Sequence, residues 1–430
     1  MTTAPAHYLQ GRMALRVVLV FAAAYVLSYA LRAINAVIAP ELMADLQLNN
    51  ADLGLLSSAY FFGFGAMQLP IGIWLDRYGS RRTEAALLMF AAVGAAVFAT
   101  SYTLASLWVG RALIGVGVSS CLMAAMKAYR SWYAPEKQSQ LASWMLVFGT
   151  LGALSTTVPV TAVMPLIGWR GVFWLIAVLL LLAALLVFFR LKAVERQMAD
   201  AVPRKAAEAS ISYLQIFRDP YFRRLSLLGA VHQGGFMAMQ SLWAGPWMVR
   251  VLGLTTAETS QVLFVFNFFL MLSYLGLSWW APRHVRYDGH AMPHAGMPVL
   301  RAVTLGLSGS IVVQALMILL PYGWSWVLWI VFAVFITVTT LAQTHVSLAY
   351  PPAQVGRANS AFNLTLFIGA FSVQWGIGLL VDGFRALGSS DPSALRMAFA
   401  VYLALQLGAL LVFIRSKELT APAQNPHNSH

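Results

Sequence analysis

Gly72-Ile73-Trp74-Leu75-Asp76-Arg77-Tyr78-Gly79-Ser80-Arg81-Arg82 is a short polar turn between two long apolar stretches, and the rest of the chain is read outward from it. Three arginines and an aspartate set so close together are costly in hydrocarbon. The chain therefore leaves an apolar environment here and re-enters it after Thr83. Gly79 is expected to permit the reversal, since glycine adopts positive φ without a steric penalty. Gly72 is expected to let helices approach closely, and Asp76 to offer a carboxylate to a cation or to a nearby helix N-terminus.

On either side of this turn, stretches long enough to cross a hydrocarbon core of about 30 Å recur along the 430 residues. They fall near 14–39, 51–71, 83–101, 104–127, 139–161, 169–190, 222–248, 258–281, 299–320, 324–347, 358–381 and 396–414. The runs are unbroken rather than alternating, which predicts helices and not a barrel. Composition agrees: 60% of residues are hydrophobic and 10% charged, with a mean hydropathy of +0.71. A soluble globular chain is about 25% charged, so a water-borne or disordered protein is excluded. The expected fold is an all-α membrane protein of twelve transmembrane helices.

The formal charge of +13 would suggest nucleic acid in a soluble protein. Here the basic residues follow topology instead. Of the 28 Lys and Arg, 22 lie on the side that holds both termini, whereas Arg170, Arg250, Arg385 and Arg396 fall on the other and Arg32 and Arg111 within spans. This asymmetry places both termini in the cytoplasm, in a membrane expected to be a bacterial inner membrane, and requires no nucleic-acid partner. Arg12 and Arg16 before the first apolar run resemble a signal peptide, but the later spans favour a retained first helix. The lone Cys121 excludes an intrachain disulfide or a cysteine-cluster metal site.

Only 191–221 is a long polar segment between spans. It carries Pro203 and alternating charges, as a linker would, and divides the chain into an N-terminal six-helix half (1–190), a cytoplasmic linker (191–221), a C-terminal six-helix half (222–414) and a cytoplasmic tail (415–430). Weak echoes link the halves as pseudo-symmetric repeats. Trp169-Arg170-Gly171-Val172-Phe173 opens the sixth span and Leu395-Arg396-Met397-Ala398-Phe399 the twelfth, while Ala134-Pro135 and Pro351-Pro352 precede the fifth and eleventh.

The turn at 72–82 resembles the G-x-x-x-D-R-x-G-R-R signature of the major facilitator superfamily, in that family's expected place. Arg111-Ala112-Leu113-Ile114-Gly115-Val116-Gly117 is similar to the superfamily's R-x-x-x-G-x-G pattern. The resemblance implies two six-helix halves that move by alternating access around a cavity lined by spans one, four, seven and ten. It also implies a gating or coupling role for Gly72, Asp76, Arg77, Gly79, Arg81, Arg82 and Arg111. The second-half counterpart, Gly276 to Gly289, keeps Arg283, Arg286 and Asp288 without the usual spacing. The fifth span has Gly149 and Gly152 but lacks the Gly-Pro pair typical of drug/proton antiporters, which argues against multidrug efflux.

Carboxylates map to loops or span ends, so Arg32 in the first span has no evident acidic partner. An ionisable residue there costs about 2.5–3.5 kcal/mol, which makes it a functional candidate. Its guanidinium suits an anionic substrate held through two hydrogen bonds. Tyr29, Arg32, Asn35 and Pro40 resemble the organic-anion and organophosphate symporter branch, where a first-span arginine contacts the substrate. A second arginine in the seventh span is missing, which favours a carboxylate or other small anion over a phosphate ester. In the seventh span His232, Gln233, Gln240 and Trp243 are expected on one helical stripe, with His232 as a candidate proton carrier. Gln343 in the tenth and Asn363 in the eleventh span complete the candidate binding residues.

There is no phosphate-binding G-x-x-x-x-G-K-[ST] loop and no hydrolase or redox constellation, so an enzyme is not expected, nor a cofactor or a bound metal. The reading is a secondary active transporter, acting as a monomer, that imports a small organic anion together with protons or another coupling ion. The alternatives are an exporter, a soft-metal carrier using His232, Met237 and Met239, and a transporter-like solute sensor.

Overall fold

A computed structural model describes residues 8–134, 137–199, 212–286, 296–350 and 354–416. Pro135, Pro203, Asp288, Pro351-Pro352 and the tail beyond Ser416 lie outside the described residues. Nine helices among the described residues are long and apolar enough to cross a bilayer, and shorter pieces assemble three further spans. In chain order the twelve are α1 (11–46), α2 (50–78), α3 (80–100), α4 (Leu104–Trp132), α5 (138–167), α6 (169–199), α7 (220–250), α8 (Thr256–His284), α9 (Val299–Leu319), α10 (Gly323–Ala349), α11 (Val355–Ala386) and α12 (Asp391–Arg415). The expected count holds, and each span overlaps its predicted position. One boundary moves: α6 stays helical through Ala199, well into the stretch read as linker, and Tyr213–Arg218 forms a short helix before α7.

Two reversals need no loop. Gly79 (φ 79°, ψ 167°) turns the chain from α2 into α3, and Gly168 (φ 65°, ψ 173°) turns it from α5 into α6. Both conformations lie where a Cβ is strained, so the expectation for Gly79 holds.

Spans α3, α6, α8, α9, α11 and α12 run unbroken, whereas the other six are interrupted. In a bilayer an interruption survives only where something else bonds the freed carbonyls. Hydroxyls do this at three breaks. Ser119 Oγ donates to the Val116 carbonyl at 2.6 Å in α4, Thr156 and Thr157 to Ala153 (2.8 Å) and Leu154 (2.7 Å) in α5, and Thr339 to Ile336 (2.6 Å) in α10. In α1 the helix breaks at Ile34, and the Leu31 carbonyl accepts from Arg111 Nη2 of α4 at 2.7 Å. In α7 the two breaks are π-helical turns, Gly229–Gly234 and Met239–Trp243.

The first and last six spans are joined by hydrogen bonds at the end away from the Asp76–Arg82 turn. Asp382 at the end of α11 accepts from the Asn50 amide (3.3 Å), the Asn50 side chain (2.7 Å) and the Ala51 amide (2.6 Å), so it caps the N-terminus of α2 across the divide. Arg250 Nη1 donates to Asn50 Oδ1 at 2.6 Å, and the hydroxyls of Thr161 and Ser260 meet at 2.5 Å. At the other, basic end, Met123, Met126 and Lys127 of α4 are half-buried, as are Gln343 and Ser347 of α10, and Thr344 is exposed. Those faces are accessible.

Asp382→Ala removes three acceptor contacts to a helix N-terminus, each worth roughly 0.5–1.5 kcal/mol. Spin labels on cysteines introduced by Ala44→Cys and Ala257→Cys, with buried Cys121 left in place, are expected to gain a longer-distance population in this variant by double electron–electron resonance. An unchanged distance distribution would show that Asp382 does not seal the far end.

Candidate functional site

Arg32 sits two residues before the break in α1, facing the divide between the first and last six spans. Its guanidinium carbon lies 4.5 Å from the centre of the Tyr29 ring, 5.5 Å from Phe64, 5.9 Å from Phe367 and 6.0 Å from Tyr60. Tyr274 of α8 stands close to both Tyr29 and Arg32. The box therefore takes Tyr29 from α1, Tyr60 and Phe64 from α2 and Phe367 from α11, and includes both groups of spans. The ion pairs formed among the described residues are Arg81–Glu195, Lys127–Asp76, Arg170–Asp45 and Arg385–Asp391, and none involves Arg32. Its Nε is buried without a hydrogen-bond partner. Ring faces attract the cation, by about 0.5–2 kcal/mol each, but offer its buried Nε no acceptor.

The box is held from behind. Tyr60 donates from its hydroxyl to the Ser28 carbonyl (3.2 Å) and presents its other surroundings to Arg111, whose guanidinium carbon is 5.3 Å from the ring. Arg111 is 1% exposed and bonds the Leu31 carbonyl, so it fixes α1 immediately before Arg32. Tyr29 rests on α5. A Cβ at Gly152 would lie 2.2 Å from the Val26 carbonyl oxygen and 3.0 Å from Tyr29 Cβ, so only glycine allows α1 and α5 this approach. A narrow crevice between α5 and α8, lined in part by Ser143, Thr150, Tyr274 and Ser278, runs beside the box.

The seventh span departs from expectation. Gln233, Met237 and Gln240 are half-buried and share one face, whereas His232 and Trp243 are fully buried. The split follows the helix itself: at about 100° per residue, His232 and Trp243 lie roughly a quarter turn round from the face of Gln233, Met237 and Gln240. His232 lies beside the Gln406 backbone of α12. Trp243 donates its indole N–H to the Gln374 carbonyl of α11 at 3.0 Å, which makes it a strut. Met239 is also fully buried, so it does not share the accessible face of Met237.

Gln240 Nε2 donates to Asn267 Oδ1 of α8 at 2.9 Å. Gln343 Nε2 donates to Asn363 Oδ1 at 2.9 Å, so the structure brings together two residues predicted separately. One turn nearer the basic end, Ser347 donates to Asn359 Oδ1 at 2.7 Å. Asn363 precedes Phe367 by one turn of α11, which sets this amide pair one turn from the aromatic box. Gln233 Oε1 is buried without a partner. Asn35 is different: it is 1% exposed and its Nδ2 donates to Ser57 Oγ at 2.6 Å, so it belongs to the packing of α1 on α2.

The predicted gating residues divide likewise. Asp76 pairs with Lys127 of α4 at 2.5 Å, and Arg81 Nε with Glu195 of α6 at 2.6 Å, so the turn clamps the basic ends of α2, α3, α4 and α6. Arg77 and Arg82 are exposed. Gly72 meets nothing: a Cβ there would have no atom within 4 Å, which corrects its expected role in close packing. The carboxylate survey also needs correction, because Glu84, one turn into α3, is 0% exposed with both oxygens unpartnered.

A sequence model described as "Major Facilitator Superfamily" matches residues 21–373. A protein of Shigella dysenteriae named multidrug resistance protein MdtL is 29% identical over 41% of this chain and 45% of its own length. A Bacillus subtilis protein named hexuronate transporter is 24% identical over 46% of each chain. The chain thus spans just under half the length of these curated relatives. A bacterial homologue of the human lysosomal transporter Spinster, solved in an inward-facing, unoccupied conformation, shares the fold with a TM-score of 0.73 at 17% identity, covering 94% of this chain and 97% of that one.

Two glycines separate the packing account from the motif. Gly152→Ala forces a clash on backbone and is expected to lower the stability of the detergent-solubilised protein by about 1–3 kcal/mol, whereas Gly72→Ala should stay within about 0.5 kcal/mol of wild type. Thermal unfolding of both variants checks this, and equal losses would refute the assignment of the close approach to α1 and α5.

Proposed function

The chain belongs to the major facilitator superfamily, a membrane transporter and not an enzyme, and from that premise we propose that it carries a small organic anion, held at Arg32, together with protons. The observation that carries this reading is a cation at the divide between the two groups of spans, boxed by aromatic rings and matched by no carboxylate among the described residues. Guanidinium stays charged in any protein environment, so its charge must be answered by what enters the site. A carboxylate or sulfonate supplies two acceptor oxygens in the fork geometry that guanidinium offers. The half-buried amides of Gln233, Gln240, Gln343 and Asn363 provide neutral donors and acceptors suited to hydroxyls or amides elsewhere on the same solute. The relative named a hexuronate transporter supports an anionic cargo.

Alternating access follows from what must break. With the Asp382 cap intact, the site communicates with the basic end, which the distribution of Lys and Arg assigns to the cytoplasm, along with both termini. Opening the other way requires Asn50 and Ala51 to leave Asp382 and the basic ends of α4 and α10 to close. Inward movement of one negative charge against the membrane potential costs about 2.3 kcal/mol per 100 mV, and one accompanying proton cancels that cost. Export of hydrophobic drugs is the second reading, supported by the relative named MdtL and by the aromatic lining. The missing Gly-Pro pair in α5 weighs against it.

Reconstituted vesicles assayed with labelled carboxylates, sulfonates, sugars and a cationic dye, with and without a pH gradient, separate these readings. The expected cargo is an anion. Arg32→Ala should abolish its uptake, and Arg32→Lys should lower it by roughly ten- to a hundredfold, the value of about 1.5–3 kcal/mol in charge-assisted bonding. Normal anion uptake by both variants, or transport of the dye alone, would refute the anion site.

A further inference from the structure

Glu84 is the one carboxylate among the described residues that is fully buried with both oxygens unpartnered. The surrounding elements supply no charge to answer it. On α3 itself Arg81 is committed to Glu195 (2.6 Å) and to the Phe188 carbonyl (3.3 Å), and Arg82 points to solvent. From α4 the titratable groups near it are Cys121 and Tyr129, and the Tyr129 hydroxyl reaches Met145 Sδ at 3.5 Å. Lys127 of α4 is held by Asp76 of α2. On the basic end of α6, Arg190, Lys192 and Arg196 are exposed, and on α2 so is Arg77.

An ionised carboxylate in this place would cost several kcal/mol with nothing to offset it, so the side chain is present as the neutral acid. A neutral acid without a hydrogen bond also contributes nothing that leucine would not contribute better. An unanswered intramembrane acid of this kind is accounted for by what its proton does. Its position says what that is. Glu84 lies one turn beyond Arg81, behind the two ion pairs that clamp the basic ends of α2, α3, α4 and α6. Any loosening of that clamp admits water to the carboxyl group, and water favours ionisation.

We propose that Glu84 is a proton-binding site of this transporter, protonated while the basic ends of α3, α4 and α6 are packed as seen and ionised when that packing opens. The step is a proton exchange with water at Glu84 Oε and needs no other reactant. The proposal rests on the proton-linked reading above but not on the identity of the cargo, so its test uses no substrate.

The full-length protein is reconstituted in lipid nanodiscs with spin labels introduced through Ala44→Cys and Ala257→Cys, and distance distributions are recorded from pH 5 to pH 9. Wild type is expected to change its distribution with pH, and Glu84→Gln, a permanent mimic of the neutral acid, to show the low-pH distribution throughout. A pH-independent wild type, or a Glu84→Gln variant that responds as wild type does, overturns the proposal. Infrared spectra of the wild type at neutral pH provide a check that survives poor folding of the variant. The carbonyl stretch of a protonated carboxylic acid is expected there, shifted in Glu84→Asp, and its absence overturns the proposal by itself. Failure of the anion reading would appear separately, as normal transport by the Arg32 variants.

Discussion

A guanidinium inside a membrane cannot escape its charge by losing a proton, as a lysine or histidine can, and the centre of this protein is organised around that fact. Arg32 is met by rings rather than by an acid. Ring faces attract the cation, so the box holds Arg32 in place while its buried Nε is left without an acceptor. An acid in the same place would have formed a closed pair and competed with any anion for the guanidinium. The aromatic box also ties the two groups of spans to one side chain, because Tyr60 and Phe64 approach it from α2 while Phe367 approaches from α11. A solute bound at Arg32 therefore touches parts that must move relative to one another.

The second organising constraint is the backbone. Hydrocarbon tolerates no free carbonyl, so each interruption of a span needs a resident donor. The chain meets this with serine and threonine hydroxyls at the breaks in α4, α5 and α10, and with Arg111 at the break in α1. These donors leave the interrupted spans intact yet less stiff than continuous ones. Three of the four spans that the family places around its cavity are broken this way, and the fourth, α7, carries π turns instead. Bending is thus concentrated next to the candidate site, with unbroken spans such as α3, α6, α9 and α12 elsewhere.

Much of this was legible in the sequence, for reasons that also explain what was not. Twelve spans could be counted because bilayer thickness fixes a minimum apolar length, and the reversal at Gly79 because its motif leaves no room for a loop. Arg32 and the pair Gln343 and Asn363 could be singled out because polar residues in apolar runs are conspicuous. The aromatic box could not, since Tyr60, Phe64 and Phe367 are ordinary members of apolar helices until tertiary packing brings them together. The α7 stripe failed because it was drawn too wide: His232 and Trp243 lie roughly a quarter turn from Gln233 and Gln240 on the helix, on the side that α11 and α12 cover. Asn35 and Gly72 failed for the opposite reason: each fits a familiar pattern, but one is consumed by Ser57 and the other faces open space. Glu84 was hidden by its nearness to a span end, where a carboxylate is usually solvated, because depth along one helix does not report the cover that α4 and α6 provide.

Recognition of negative charge at Arg32 is the property on which the proposed transport depends. Calorimetric titration of the purified protein with a carboxylic acid and with its primary amide, matched in shape, tests this most directly. The account predicts that the carboxylate binds and the amide does not, and that replacing Arg32 with glutamine removes the difference. Equal binding of the two compounds to the wild-type protein would contradict it.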